Sequence, residues 1–130
     1  MSSQAIEVIL NRQLADCLSI PVFITDTKGN LIFYNEPAEA LLGSRFEETG
    51  SMPVEKWSTI FTPMDELSNV IPPEELPLVK TLQDCYPYHM TFWILSLKGN
   101  KEKISVTSYP IIGRENNFLG AVAIFWKAKD

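Results

Sequence analysis

Histidine occurs once in this chain of 130 residues, at His89, and cysteine only twice, at Cys17 and Cys85. With so few soft or imidazole ligands, and no metal-ligand spacing among them, a zinc site lacks its ligands. One histidine with no cysteine or aspartate fixed beside it by a motif leaves a nucleophilic triad unsupported. The glycines are scattered at positions 29, 43, 50, 99, 113 and 120, so no glycine-rich loop can cradle a phosphate. Lysine and arginine form no cluster and the formal net charge is −5, which argues against direct binding to nucleic acid or to an anionic membrane. No apolar run approaches the roughly 20 residues needed to span a bilayer. The first residues are polar and Glu7 interrupts early, unlike a signal peptide. The acid pairs Glu47-Glu48 and Glu74-Glu75 read as solvated helix starts. The expectation is a non-enzymatic, cytoplasmic protein with one core, in which both cysteines are buried thiols.

What is present is strongly punctuated. The apolar runs Val22 to Asp26 and Leu31 to Tyr34 flank Thr27-Lys28-Gly29-Asn30, a hairpin signature. The second run stops at Asn35, whose short amide suits an N-cap, and Pro37 follows where a missing N–H costs little. Gly43 stands where a helix ending at Leu42 needs positive φ. Upstream, Ile6, Leu10, Leu14, Cys17 and Leu18 recur at helical steps, predicting an amphipathic helix over Gln4 to Leu18, ended by Pro21, with Glu7, Asn11 and Asp16 on its other face. Val54, Trp57, Ile60 and Phe61 share one face of a short helix, and Leu78, Val79 and Leu82 mark another over Pro77 to Gln83. Pro53, Pro63, Pro72 and Pro73 exclude long elements between them.

The last third is β-rich. Tyr86 to Leu97 and Lys103 to Ile112 are separated by a turn at Lys98-Gly99-Asn100-Lys101. Phe118 to Trp126 is nearly all apolar, as for a strand covered on both faces. Parity places Tyr88, Met90, Phe92 and Ile94 on one face, Ile104, Val106 and Ser108 on one face, and Leu119, Ala121, Ala123 and Phe125 on one face. The expected fold is α+β: a five-stranded antiparallel sheet with short helices on one face and the N-terminal helix on part of the other. Residues 1–19 form that helix, for dimerisation or capping, and residues 20–130 the domain proper.

Over about residues 15 to 128 this order resembles a PAS domain. Asp26, Gly29 and Asn35 match the family's opening pattern, Ala38 and Leu42-Gly43 the helix and stop after it. Pro73-Glu74-Glu75-Leu76-Pro77-Leu78, Val106-Thr107-Ser108-Tyr109-Pro110 and Gly120-Ala121-Val122-Ala123-Ile124 are similar to segments of one bacterial branch. Where many members carry Asp-Ile-Thr, this chain has Lys127-Ala128-Lys129. The resemblance implies a sensory or regulatory module in signal transduction, acting on a signalling protein in trans or on a fused effector outside this chain.

Three functional readings follow. In the first, a small apolar or aromatic ligand sits between sheet and helices, against Val79, Leu82, Phe92, Val106 and Ala123. In the second, the domain is a ligand-free dimerisation or docking module using the N-terminal helix and the sheet's outer face. The third, a haem sensor with His89 as ligand, is disfavoured because the family's haem histidine lies on the central helix, here Pro77 to Gln83, which has none. Flavin is disfavoured because Ser44-Arg45-Phe46-Glu47-Glu48 stands where the adduct cysteine motif belongs. The N-terminal stripe predicts a homodimer.

Overall fold

A computed structural model describes residues 5–42, 52–57, 62–95 and 99–128. Five strands, β1 (Val22–Thr25), β2 (Leu31–Tyr34), β3 (Tyr88–Leu95), β4 (Lys101–Ile112) and β5 (Phe118–Lys127), form one antiparallel sheet in the order β2-β1-β5-β4-β3. β5 is central and β1 beside it, and residues of both strands enter the cores on the two faces of the sheet. Helices α2 (Glu36–Leu42), α3 (Val54–Trp57) and α4 (Pro77–Asp84) lie on one face and α1 (Ile6–Asp16) on the other. The predicted architecture is the observed one. Ile60, Phe61, Gly43 and Lys98, on which parts of the helix and turn predictions fell, lie outside the described residues.

Two cores result. The inner one joins Phe23, Tyr34, Phe92, Val106, Ala123 and Phe125 of the sheet to Ala38 of α2, Trp57 of α3 and Leu78 of α4. The outer one joins Val8 and Ala15 of α1 to Val22, Ile24, Phe33, Ile111 and Val122. Simple alternation fails at two bulges. Ile111 pairs with Gly120 but Ile112 with Phe118, so Leu119 is an extra residue in β5. The parity expectation for Leu119 is therefore wrong: it packs with the outer core, while Ala121, Ala123 and Phe125 face inward. Gly120 permits this with φ +152°, and a Cβ there would lie 2.2 Å from the Thr25 carbonyl oxygen. In β2, the register skips Ile32, so Ile32 and Phe33 both serve the outer core.

The N-terminal helix turns the opposite way from what amphipathicity alone suggests. Val8 and Ala15 meet the sheet, flanked by Asn11 and Arg12. Asn11 accepts from the Tyr109 hydroxyl at 3.1 Å, and the Arg12 guanidinium lies 4.8 Å from the Phe33 ring centre. The apolar stripe faces out: Ile6 is 66% exposed, Leu10 56% and Leu14 55%. The helix ends at Asp16, before Pro21 is reached, with Cys17 as its C-cap. Cys17 and Cys85 are both exposed, contrary to the buried thiols expected. Each caps a helix, Cys85 in the left-handed region at φ 59°, and a cap position projects beyond the packed turn.

The opening hairpin is locked by Asp26. Its carboxylate accepts from the Lys28 and Asn30 amides, both at 2.9 Å, and from the Asn30 side chain at 3.0 Å. The same five-residue loop recurs at Asp65 to Asn69, where Asp65 accepts from Leu67 and Asn69 amides at 2.9 Å and the Asn69 side chain at 3.1 Å. Ser68, at φ 67°, stands where the first loop has Gly29. Single-residue bridges flank the sheet: Met52 exchanges backbone hydrogen bonds with Leu31 of β2, and Met64 with Trp93 of β3.

Candidate functional site

Among the described residues the sheet and helices pack closely. Small residues Ala121, Ala123 and Ser108 let α4 approach β4 and β5, and the Thr81 and Ser108 hydroxyl oxygens meet at 2.6 Å. Thr81 also donates to the Tyr86 carbonyl at 2.9 Å, which ties the end of α4 to the start of β3. Among the described residues an apolar void of about 20 Å³ lies here, bounded by Trp57, Leu76, Pro77 and Leu78 on the helix side and Phe92, Val106 and Phe125 on the sheet side. That is room for one water, with no polar group to hold it.

Of the five pocket residues predicted, Phe92 and Val106 line this void together. Val79 and Leu82 are half-buried against the same core, and Ala123 is fully buried in it without touching the void. Trp57, Leu76, Pro77, Leu78 and Phe125 complete the lining and were not among the pocket residues predicted from sequence. Trp57 carried a legible signal, a tryptophan in a proline-bounded segment. Its indole N–H donates to the Gly29 carbonyl at 2.8 Å, so α3 is pinned to the hairpin turn.

Thr25 was also missed. It points inward between Leu31 and Ala121, is fully buried, and its hydroxyl is the one buried side-chain polar atom among the described residues with no hydrogen-bond partner. Such an orphan costs stability unless something binds it.

His89 stands on the other face of the sheet. Its Nδ1 lies 2.9 Å from the Thr107 hydroxyl and its ring 5.7 Å from that of Trp126. Beside it, Trp93 sits under the ammonium groups of Lys101 and Lys103, at 5.5 and 5.3 Å. Among the described residues no group of three histidine, cysteine or acidic side chains could hold a metal ion, and no helix is long and apolar enough to cross a membrane.

Asn35 connects the two cores. It is buried, and its Oδ1 accepts from the Val22 amide at 3.0 Å and the Ala38 amide at 3.2 Å, the second being the predicted N-cap bond. Its Nδ2 donates to the carbonyls of Ala15 and Ile20, both at 2.9 Å. Two donors on one side and two acceptors on the other fix the amide's orientation.

Hydrogen bonding from the Asn69 amide is the main cause holding the Asp65 carboxyl below its ordinary 3.8. Burial pushes the Tyr109 phenol above 10.0, and the hydrogen bond to Asp84 does the same for Tyr88.

A family model described as "PAS domain" matches residues 10–81. A search of curated proteins finds no match. Among solved structures, the PAS domain of a protein from Colwellia psychrerythraea is 18% identical, with 93% of this chain and 96% of that chain covered at a TM-score of 0.63. The PAS domain of Bordetella pertussis BvgS is 13% identical, covering 95% of this chain and 87% of that chain at 0.66. VqmA bound to DPO is 10% identical, covering 94% of this chain and 58% of that chain at 0.62. At these identities the likeness concerns the fold.

Proposed function

Since the chain belongs to the PAS domain family, whose members are generally sensory signalling modules, we propose that it works as a regulatory module whose output surface is α1. The observation that carries this is the outward apolar stripe of Ile6, Leu10 and Leu14 on a helix already docked through its other side. Exposed apolar residues in one row mark an interaction surface, and a helix that presents the same row on every copy suits a homodimer. The next step, to a partner in trans or a fused effector, follows from a shift in how α1 packs. The protein acts by association and not by catalysis, in a cytoplasmic setting without nucleic acid or membrane contact. Sedimentation at high micromolar concentration tests the reading: a dimer is expected, and a wild-type monomer overturns it.

A second reading has its own support. The unpartnered Thr25 hydroxyl on an otherwise apolar face suits a small, mainly apolar ligand with one hydrogen-bonding group. VqmA bound to DPO is among the structural neighbours. The void of about 20 Å³ among the described residues is too small for such a ligand, and a movement of α4 from the sheet would supply the room. Native mass spectrometry against the denatured mass detects a retained ligand; identical masses count against it. Haem and flavin have no support in this reading, and a Soret band or flavin absorption surviving gel filtration would revise it.

A further inference from the structure

We propose that Asn35 is a positioning residue that couples the inner core to the α1 surface. Its amide is divided between the two sides of the sheet. The oxygen holds the amide of Ala38, a fully buried member of the inner core. The nitrogen holds the carbonyl of Ala15, a fully buried member of the outer core. The remaining bonds, to Val22 N and Ile20 O, fix the amide to the first residue of β1 and to the linker before it. The backbone joins in, with Asn35 N donating to Val22 O at 3.3 Å and Glu39 N to Asn35 O at 3.0 Å. A displacement of the start of α2 therefore pulls on the last turn of α1 through one rigid, planar group.

The arrangement makes α1 responsive because few residues of the helix are buried. Within the helix only Val8 and Ala15 are buried. Its further ties include the Tyr109 hydroxyl to Asn11 and the Arg12 guanidinium against the Phe33 ring. No side-chain cap holds the N-terminal end. The pair of bonds at Asn35 also reaches the inner core, through the Ala38 amide. The coupling serves the regulatory role proposed above, but its test uses no ligand, so an empty core would sink the ligand reading and leave this inference standing.

The two halves of the amide can be separated chemically. Asn35→Asp keeps an acceptor for Val22 and Ala38, and the carboxylate suits a helix N-terminus. It removes both donors and sets a negative oxygen against the Ala15 and Ile20 carbonyls. Hydrogen exchange followed by mass spectrometry or NMR on this variant should show α1 amides exchanging about tenfold or more faster than in the wild type. Amides of α2 and β5 should change far less. A second variant, Asn35→Ser, keeps a short cap acceptor but cannot span to Ala15, and should give the same pattern. The coupling itself is read with Ala38→Gly, which loosens α2 from the inner side. In the wild-type background that change should speed α1 exchange, and in the Asn35→Asp background it should add nothing to α1. A uniform rise in exchange over the domain, unchanged α1 exchange, or equal effects of Ala38→Gly in both backgrounds would each overturn the proposal. If neither Asn35 variant folds, Ala38→Gly alone decides: α1 exchange that ignores it removes the coupling.

Discussion

At the scale of the residue, Asn35 carries more than a cap. A single N-cap is worth about 1 kcal/mol. Removing this side chain strands two buried donors, the amides of Val22 and Ala38, while the Ala15 carbonyl keeps its bond from the Leu18 amide, and each buried group left without a partner costs about 1–3 kcal/mol. Asn35→Ala should therefore lower stability by about 2–4 kcal/mol in urea unfolding, and a loss near 1 kcal/mol would mean water replaces the inner bonds. Ala123 tests packing. It is fully buried beside the close α4 contact, so Ala123→Phe overpacks and should cost about 1–3 kcal/mol. Unchanged stability with loss of a ligand would instead reveal space that opens around α4. The asparagine was legible in the sequence because its position after an apolar strand and before a proline has a local meaning. Its three further bonds were not, since Ala15, Ile20 and Val22 reach it only through the fold. Thr25 was illegible for a related reason: an unpaired hydroxyl is defined by what surrounds it.

At the scale of the element, α1 shows how a correct periodicity can leave orientation open. The stripe of Ile6, Leu10 and Leu14 was plain, but two small buried residues, Val8 and Ala15, hold the helix to the sheet. Leu10→Lys with Leu14→Lys should give a folded monomer by sedimentation, with an unchanged far-UV spectrum; loss of fold would mean the stripe supports the domain itself. Tyr109 adds a pH test. Its pKa is raised by burial, so the neutral phenol favours the folded state. That contribution is complete below the ordinary 10.0 and is lost as pH rises through the higher folded value. Stability should fall above about pH 10, and Tyr109→Phe should flatten that fall while loosening α1 through loss of the Asn11 bond. Absorbance at alkaline pH and thermal melts follow both. The strands were legible in number and order, yet the face of Leu119 was not. A bulge changes parity without changing composition, and Gly120 was its sole local mark.

At the scale of the molecule, the two-sided sheet sets what the domain can exchange with its surroundings. The inner core lies under α4, whose Thr81 meets Ser108 of β4 beside Ala123. The outer core is half covered by α1, and the uncovered half carries His89, Trp93 and Trp126. The bridges at Met52 and Met64 bear on assembly in another way. A sheet whose outer strands are bare can add copies edge to edge without limit, and such growth has no reason to stop. Here a backbone from the same chain already occupies part of each border, at Leu31 and at Trp93. Recruitment is thereby steered from borders to faces. A helical face that meets its own copy about a two-fold axis is used up by the encounter, so assembly closes at a pair and does not propagate into a filament.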